Sequence, residues 1–337
     1  MSSILHIVPE FNEANGVFVV ARMLAGEDGG RVVYAHAVTR ADIAAADEVW
    51  VHGMWLPCEW RACCMALKAG KRLVRMTHGS LSPIYLERQG KWKKRLVAPI
   101  ERHYFAKCDR VVVTGEWEEE WCRKWGVKGP FETVDLKRFF SLKFKVESSK
   151  LDCRGGELSD CQIDGLSDCC SRAGSSTGQS DNQTISQSDN GAGQSNTQTL
   201  KHSNNEPLHL LYLGRRHPLK GVEYLETAVK QIQESSAYSA SLRLCVKIIS
   251  SAFGEELEKV WEWCDVLVLP TLSDNFGLVI AEALERGKRV ITTDGAPAWG
   301  GGNDYGGRLI YLKGYRDGTD EIRVRLLKDA IETLKKQ

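Results

Sequence analysis

Short apolar runs alternate with amphipathic stretches along most of this chain. SILHIVPEF (residues 3–11) reads as a strand ending at Pro9, and after the Asn15–Gly16 turn VFVVARMLA (17–25) has helical spacing. RVVYAHAV (31–38) and EVWVHG (48–53) are further strand candidates, separated by an alanine-rich helical pattern around Ile43 to Ala46. CEWRACCMALKAG (58–70) predicts a helix stopped by Gly70, and KRLVRMTHG (71–79) predicts a strand whose polar exit is Thr77, His78 and Gly79. KKRLVAPIERHYFAKC (93–108), RVVVTG (110–115) and EEWCRKWG (119–126) continue as helix, strand and helix.

From about residue 148 to residue 205 the pattern fails, and Ser, Gly, Asn, Gln, Asp and Thr dominate. Such a segment buries too little apolar surface to offset the entropy of ordering its backbone. The expectation is a disordered linker or insertion between two domains, 1–147 and 206–337. Order resumes with the strand candidates LHLLYLG (208–214), SLRLCVKIIS (241–250), DVLVLPT (265–271) and KRVITTDG (288–295). GVEYLETAVKQIQES (221–235), EELEKVWEWC (255–264), FGLVIAEALERG (276–287) and RVRLLKDAIETLKK (323–336) supply helices, and the last of these is a candidate to pack back on the N-terminal domain.

Apolar strands that alternate with helices predict an α/β chain with largely parallel, doubly wound sheets, since crossover helices cover both faces. Ligands collect beyond the C-terminal ends of such strands. Asn15–Gly16, His52–Gly53, His78–Gly79 and Thr114–Gly115 all fall at those ends and define a working rim.

The 337 residues suffice for two cores, and 45 basic against 44 acidic residues leave a net charge of +1, which argues against a nucleic-acid binder. No signal peptide and no apolar stretch long enough to span a bilayer is read, so a cytoplasmic protein is expected, peripheral membrane contact staying open. The eleven cysteines contain no CxxC pair, so free thiols are expected rather than a zinc knot or disulfide framework. Cys245 and Cys264 fall inside apolar runs.

Two clusters carry candidate chemistry. In LGRRHPLKG (213–221), Gly214 lets the backbone approach a ligand, Arg215 offers a fork of donors for phosphate oxygens, and Lys220 adds a mobile charge before a helix. In PTLSDNFGLVIAEALERG (270–287), Asp274 lies in a loop and Glu282 within the next helix, with seven residues between them. Phe276, Gly277 and Leu278 present N–H groups at that helix start, where a diphosphate is favoured. A glutamate among Ile280, Ala281, Ala283 and Leu284 needs a partner, which a ribose diol would provide; helical phase does not decide which way Glu282 faces. No Asp-x-Asp pair stands at a strand end, so no metal is expected.

Together these residues resemble family 4 of the retaining glycosyltransferases, which have the GT-B fold: two Rossmann-like domains facing each other across a cleft. GRRHPLKG is similar to the family's donor-phosphate loop, which implies that Arg215 and Lys220 hold the diphosphate of a nucleotide sugar. DNFGLVIAEAL is similar to the family's spaced pair of acidic residues, which implies that Asp274 faces the transferred sugar and Glu282 binds the ribose. More loosely, VHGMWLP (51–57) and THGSLSP (77–83) resemble acceptor-side loops, with His78 nearest the sugar. The basic run KWKKR (91–95) resembles members that build surface polysaccharides or lipopolysaccharide cores.

The resemblance implies a retaining hexosyltransferase that uses a nucleotide-diphosphate sugar, without cofactor or metal, on a glycan or lipid-linked acceptor. The chain departs from the pattern at Asp274, where glutamate is usual, and at Glu132–Thr133, where Asn-Gly is usual; the segment between SLRLCVKIIS and EELEKVWEWC is also short. A non-catalytic sugar-nucleotide-binding or assembly protein and a sugar-nucleotide epimerase are the alternatives. A nicotinamide dehydrogenase is disfavoured because PEFNEANG lacks the G-x-G-x-x-G turn.

Overall fold

A computed structural model describes residues 3–9, 16–88, 91–140, 207–235, 243–301 and 305–334. Asn15, the polar insertion at 148–205 and its cysteines Cys153, Cys161, Cys169 and Cys170 lie outside the described residues.

The N-terminal half builds a six-stranded sheet from β1 (Ile4–Val8), β2 (Arg31–Tyr34), β3 (Glu48–His52), β4 (Arg72–Met76), β5 (Arg110–Val113) and β6 (Phe131–Thr133), in the order β2-β1-β3-β4-β5-β6. Every pairing is parallel. Its crossovers are α1 (Gly16–Asp28), α2 (Arg40–Ala45), α3 (Pro57–Lys68), α4 (Pro83–Arg88), α5 (Lys91–Phe105) and α6 (Glu116–Trp125), and α7 (Lys137–Phe140) follows the last strand. The C-terminal half repeats the plan with β7 (Leu208–Leu213), β8 (Leu244–Ile249), β9 (Val266–Leu269), β10 (Arg289–Thr293) and β11 (Leu309–Leu312), in the parallel order β11-β10-β9-β7-β8. Its helices are α8 (Val222–Glu234), α9 (Gly254–Trp263), α10 (Leu278–Glu285) and α11 (Asp320–Thr333).

Strands covered on both faces must satisfy every polar side chain they carry. All five residues of β3 are buried, including Glu48 and His52. Glu48 takes a hydrogen bond from the Trp50 indole at 2.5 Å and an ion pair from Arg110 at 2.7 Å. The fully buried Arg75 on β4 meets Glu101 at 3.1 Å and the Gly53 carbonyl at 3.0 Å, which ties α5 to the end of β3. A buried charge held this way is costly to strand alone, so each pair fixes the register of the elements that contribute it.

One hydrophobic cluster runs through the junction of the two halves. It contains Val20, Leu24, Val74 and Val112 of the first sheet layer together with Leu210, Leu225, Val268 and Leu327 of the second. Phe140 of α7 stacks on Phe276 at 5.7 Å between ring centres and joins the halves directly.

Helix α11 lies against α8 and β11 of its own half. Its buried residues Val324, Leu327, Ala330 and Ile331 complete that core, and Arg323 bonds Asp320 and the Tyr315 carbonyl at 2.7 and 3.1 Å. Four short elements, α4, β6, α7 and β11, have no counterpart in the hydrophobic pattern. With three to six residues each they are too short to show a period, and neighbouring strands or helices hold them in place. Among the described residues no helix is long and apolar enough to cross a membrane.

Candidate active site

Each sheet has one point where the chain reverses its direction of growth. From β1 the chain adds β2 on one side and β3 on the other; from β7 it adds β8 and then β9 in the same manner. Crevices open beyond the strand ends at such points. On the C-terminal side the crevice is framed by the loop after β7, which carries Gly214 to Lys220, and by the exit of β9.

Those two segments are bonded together. The Leu219 carbonyl accepts from Thr271 Oγ1 at 3.0 Å and from the Leu272 amide at 2.8 Å. Gly221 makes the approach feasible: it has φ of 64°, and a Cβ there would overlap the Pro270 carbonyl oxygen. This packing delivers Lys220 to Asp274, with Nζ 2.5 Å from Oδ2. Asp274 Oδ1 accepts from the Gly277 amide at 3.1 Å, and the Asp274 amide donates to the Gly295 carbonyl at 2.8 Å. The loop cation, the loop carboxylate and the start of α10 thus form one bonded unit.

The residues flanking Asp274 face the other domain. Ser273 Oγ lies 2.9 Å from Ser82 Oγ. Asn275 donates from Nδ2 to Glu118 Oε2 at 3.1 Å and accepts from the Trp117 indole at 3.3 Å. Gly79 packs so closely on Asn275 that a Cβ would come within 2.7 Å of the asparagine Cβ. Glu118 is fully buried, and besides Asn275 it accepts from Thr77 Oγ1 at 2.5 Å, the Gly79 amide at 2.6 Å, and both the amide and Oγ1 of Thr114 at 2.8 Å. One carboxylate therefore gathers the exits of β4 and β5 and the acidic loop of the second domain.

The remaining residues singled out by sequence are placed as follows. Arg216 is held by Glu226 at 2.5 Å, whereas Arg215 is exposed and makes no side-chain hydrogen bond or ion pair among the described residues. The Arg215 carbonyl accepts from Tyr212 Oη at 2.9 Å, and its charge acts on the phenol of Tyr85 in the facing domain. Phe276 is buried between Phe140 and Trp299, and its carbonyl accepts from the Trp299 indole. Gly277 caps α10 with φ of 73°. Leu278 lies at the first residue of α1, since a Cβ on Gly16 would stand 3.4 Å from Leu278 Cδ1, so the starts of α1 and α10 meet across the domains.

Glu282 is half-buried, and its carboxylate has no hydrogen-bond partner among the described residues. Burial pushes it up to about 7, Arg286 offsetting only part of that. The Arg286 guanidinium itself is engaged by Glu258 at 2.8 Å. No bond links Glu282 or Arg215 to the Lys220–Asp274 unit. On the opposite rim His78 has φ of 50° and is half-buried, with Nε2 2.9 Å from His52 Nδ1. Burial lowers it to about 4, against the opposing pull of Glu118, so the ring is neutral near pH 7.

Beside the Ser82–Ser273 contact a cleft of about 540 Å³ opens between the domains, with Trp117, Trp121, Lys124 and Arg316 in its walls. It is separate from Arg215, Lys220 and Glu282, none of which lines it. Sequence reasoning missed Glu118 and Asn275. Glu118 stands in the run Glu118–Glu119–Glu120, which reads as a solvated helix face, and only the fold shows that its first member points inward. Asn275 adjoins Asp274, but its contact is with Glu118, 157 residues away, which no local pattern announces. Among the described residues no group of three or more His, Cys, Asp or Glu side chains is arranged to hold a metal ion.

Comparison with known proteins follows this division. The model of the Glycosyl transferase 4-like domain matches residues 8–134, and that of Glycosyl transferases group 1 matches residues 207–311. A sequence comparison with curated proteins finds no match. Among solved structures, sucrose-phosphate synthase from Thermosynechococcus elongatus superposes with a TM-score of 0.58 at 14% identity, over 99% of this chain and 90% of that one. HepE of Anabaena, in complex with UDP and glucose, gives 0.53 at 13% identity over 99% and 91%. The α,α-trehalose 6-phosphate synthase of Burkholderia multivorans gives 0.52 at 10% over 98% and 90%. At such identities the likeness establishes the fold, two Rossmann-like domains of GT-B type. Each half of the chain thus matches a glycosyltransferase domain model, and the chain as a whole has the GT-B fold.

Proposed function

We propose that this protein is a retaining hexosyltransferase that moves a sugar from a nucleoside-diphosphate sugar to a glycan or glycolipid hydroxyl in surface-polysaccharide or lipopolysaccharide synthesis. The observation that carries the reading is the bonded unit of Lys220, Asp274 and the Gly277 amide, set at the switch point of the C-terminal sheet with the unpaired Arg215 on the same loop. HepE, which shares the fold, binds UDP and glucose, and this supports a nucleoside-diphosphate sugar as donor here.

In the free protein Lys220 and Asp274 neutralise each other. A diphosphate brings two negative groups to that loop and competes for Lys220, with Arg215 and the amides at the start of α10 completing its cradle. Asp274, released from the lysine, is then available to a sugar hydroxyl, and Glu282 to the ribose diol. As the anomeric C–O bond breaks, charge grows on the leaving phosphate, where these cations act most strongly. The leaving phosphate oxygen takes the proton of the incoming hydroxyl on the same face, which gives retention. The indoles of Trp117 and Trp121 in the neighbouring cleft offer stacking faces for the rings of an acceptor glycan.

Helix α5 supplies a membrane-facing surface. Trp92, Leu96 and Ile100 are 65%, 70% and 39% exposed at a spacing of four, forming one apolar stripe. Lys91, Lys93 and Arg95 are exposed around its first turns, while Lys94 is folded onto the Tyr85 ring at 3.5 Å. Apolar residues flanked by cations suit an anionic bilayer surface, which would carry a lipid-linked acceptor.

Three outcomes are expected. Lys220→Ala and Arg215→Ala should each lower transfer, read as release of nucleoside diphosphate with acceptor present, by about 100-fold while folding normally. Full turnover by both variants would remove the assigned phosphate role, and donor binding without transfer in the wild type would favour a non-catalytic binding protein. For Glu282 the folded value of about 7 lies above the 4.5 of an exposed glutamate, so its contribution to stability is complete below pH 4.5 and is lost as pH rises to 7. Glu282→Gln should therefore leave the free protein more stable than wild type by about 2 kcal/mol above pH 7, with the difference vanishing towards pH 4.5, while donor affinity falls about tenfold; a pH-independent difference in melting would contradict this. Trp92→Ala with Leu96→Ala should abolish sedimentation with vesicles containing phosphatidylglycerol, and equal binding to purely zwitterionic vesicles would exclude the anionic surface.

A further inference from the structure

Three histidines cross the N-terminal sheet in a diagonal row. His6 on β1 is in register with Trp50 on β3, and His52 stands two residues beyond Trp50. His52 is in register with Met76 on β4, and His78 stands two residues beyond that. A step of two residues returns to the same face of a strand, so the three rings share one face and climb towards the rim. His6 Nδ1 lies 2.9 Å from His52 Nε2, and His52 Nδ1 lies 2.9 Å from His78 Nε2. At the far end His6 Nε2 meets Asp28 Oδ2, at the end of α1, at 3.0 Å.

The direction of every bond in this row follows from its anchor. The other oxygen of Asp28 accepts from the Gly30 amide at 2.8 Å, so the side chain is arrayed as an acceptor towards its surroundings. Gly30 permits the approach: a Cβ there would come within 2.6 Å of Asp28 Oδ1 and 2.9 Å of His6 Cδ2. A carboxylate only accepts, so His6 donates from Nε2, and a neutral ring that donates from Nε2 accepts at Nδ1. His52 must then donate from Nε2 and accept at Nδ1, and His78 must do the same. His6 and His52 are fully buried, and burial lowers both, which keeps the rings neutral. Other charges near the row are already engaged. Glu48 is held by Trp50 and Arg110, and Glu118 by Thr77, Gly79, Thr114 and Asn275.

The row leaves one open position. His78 Nδ1 has no partner among the described residues, and the half-buried ring stands beside Gly79, where the domains touch. We infer that Asp28 sets the tautomer of His78 through His6 and His52, presenting Nδ1 as a bare hydrogen-bond acceptor for a sugar hydroxyl at the junction of the two domains. Asp28, His6 and His52 are positioning residues, and His78 is the group that meets the ligand. An isolated histidine at this place would divide itself between two tautomers and offer a donor to the hydroxyl part of the time; the row removes that ambiguity. The ligand half of this inference rests on the sugar-transfer reading, whereas the tautomer half concerns the free protein alone.

The test is ring-selective nitrogen NMR of the full chain labelled at histidine, near pH 7 and without ligand. His6, His52 and His78 should each show a protonated Nε2 and a bare Nδ1. Asp28→Ala changes a partly exposed side chain, and it should turn the single His78 pattern into a mixture of both tautomers, while Asp28→Asn, whose one oxygen is taken by the Gly30 amide so that its NH2 donates to His6 Nε2, should reverse the pattern and protonate His78 on Nδ1. A wild-type His78 protonated on Nδ1, or an unchanged His78 in Asp28→Ala, overturns the inference, and the wild-type spectrum decides even if the variant fails to fold. In the transfer assay Asp28→Ala should lower kcat/KM about tenfold. A raised KM for the donor assigns the hydroxyl to the transferred sugar, and a raised KM for the acceptor assigns it to the acceptor. Unchanged kinetics in an active enzyme whose His78 tautomer has shifted would remove the role in recognition, whereas an inactive wild type with the predicted spectrum would remove only the transfer reading.

Discussion

Three consecutive residues, Ser273, Asp274 and Asn275, hold the two halves of the molecule in working relation. Their side chains divide between the two domains. Ser273 and Asn275 reach Ser82, Glu118 and Trp117 in the first domain, while Asp274 turns back to Lys220 and Gly277 in its own. The residue proposed to meet the transferred sugar is therefore placed by contacts from both domains at once. A shift of either domain moves the neighbours of Asp274, which couples the relative position of the domains to the geometry of the donor loop. Glu118 strengthens that coupling because its oxygens also organise the exits of β4 and β5, from which His78 and Gly79 emerge.

The two rims differ in how they handle charge. The C-terminal rim keeps cations near water, with Arg215 exposed and Lys220 part-buried against one carboxylate, as suits a site for a mobile anionic ligand. The N-terminal rim presents the neutral imidazole of His78, backed by two further buried imidazoles. On the proposed reading this division matches the reaction. Negative charge develops on the leaving diphosphate at one rim, and uncharged hydroxyls need orientation at the other. Glu282 is the exception, a half-buried carboxylate that the free protein leaves without a bond, at a cost that a bound ribose would offset.

Much of this was legible in the sequence, for identifiable reasons. Strands such as Val266–Leu269 are buried on both faces and therefore appear as unbroken apolar runs between turn residues. The loop from Gly214 to Gly221 announced itself by a glycine at each end and three cations between them. The structure then separated Arg215 from its neighbour Arg216 through Glu226, a partner ten residues beyond Arg216 that spacing alone could not assign. The short elements α4, β6, α7 and β11 carried no period to read. Glu118, Asn275, His6 and His52 were invisible for another reason: their meaning lies in contacts between residues 26 to 157 positions apart, which exist only once strands are in register. His6 and His52 look like isolated polar interruptions of apolar strands until β1, β3 and β4 are laid side by side.

The central claim is that a diphosphate takes Lys220 from Asp274 and sits in the loop between Gly214 and the start of α10. A crystal structure of the protein with UDP-glucose tests it most directly. The account predicts phosphate oxygens within hydrogen-bond distance of Lys220 Nζ and the Arg215 guanidinium, Asp274 turned from the lysine towards the sugar, and Glu282 on the ribose. A nucleotide bound elsewhere, or bound with the Lys220–Asp274 pair intact and Arg215 untouched, would contradict it.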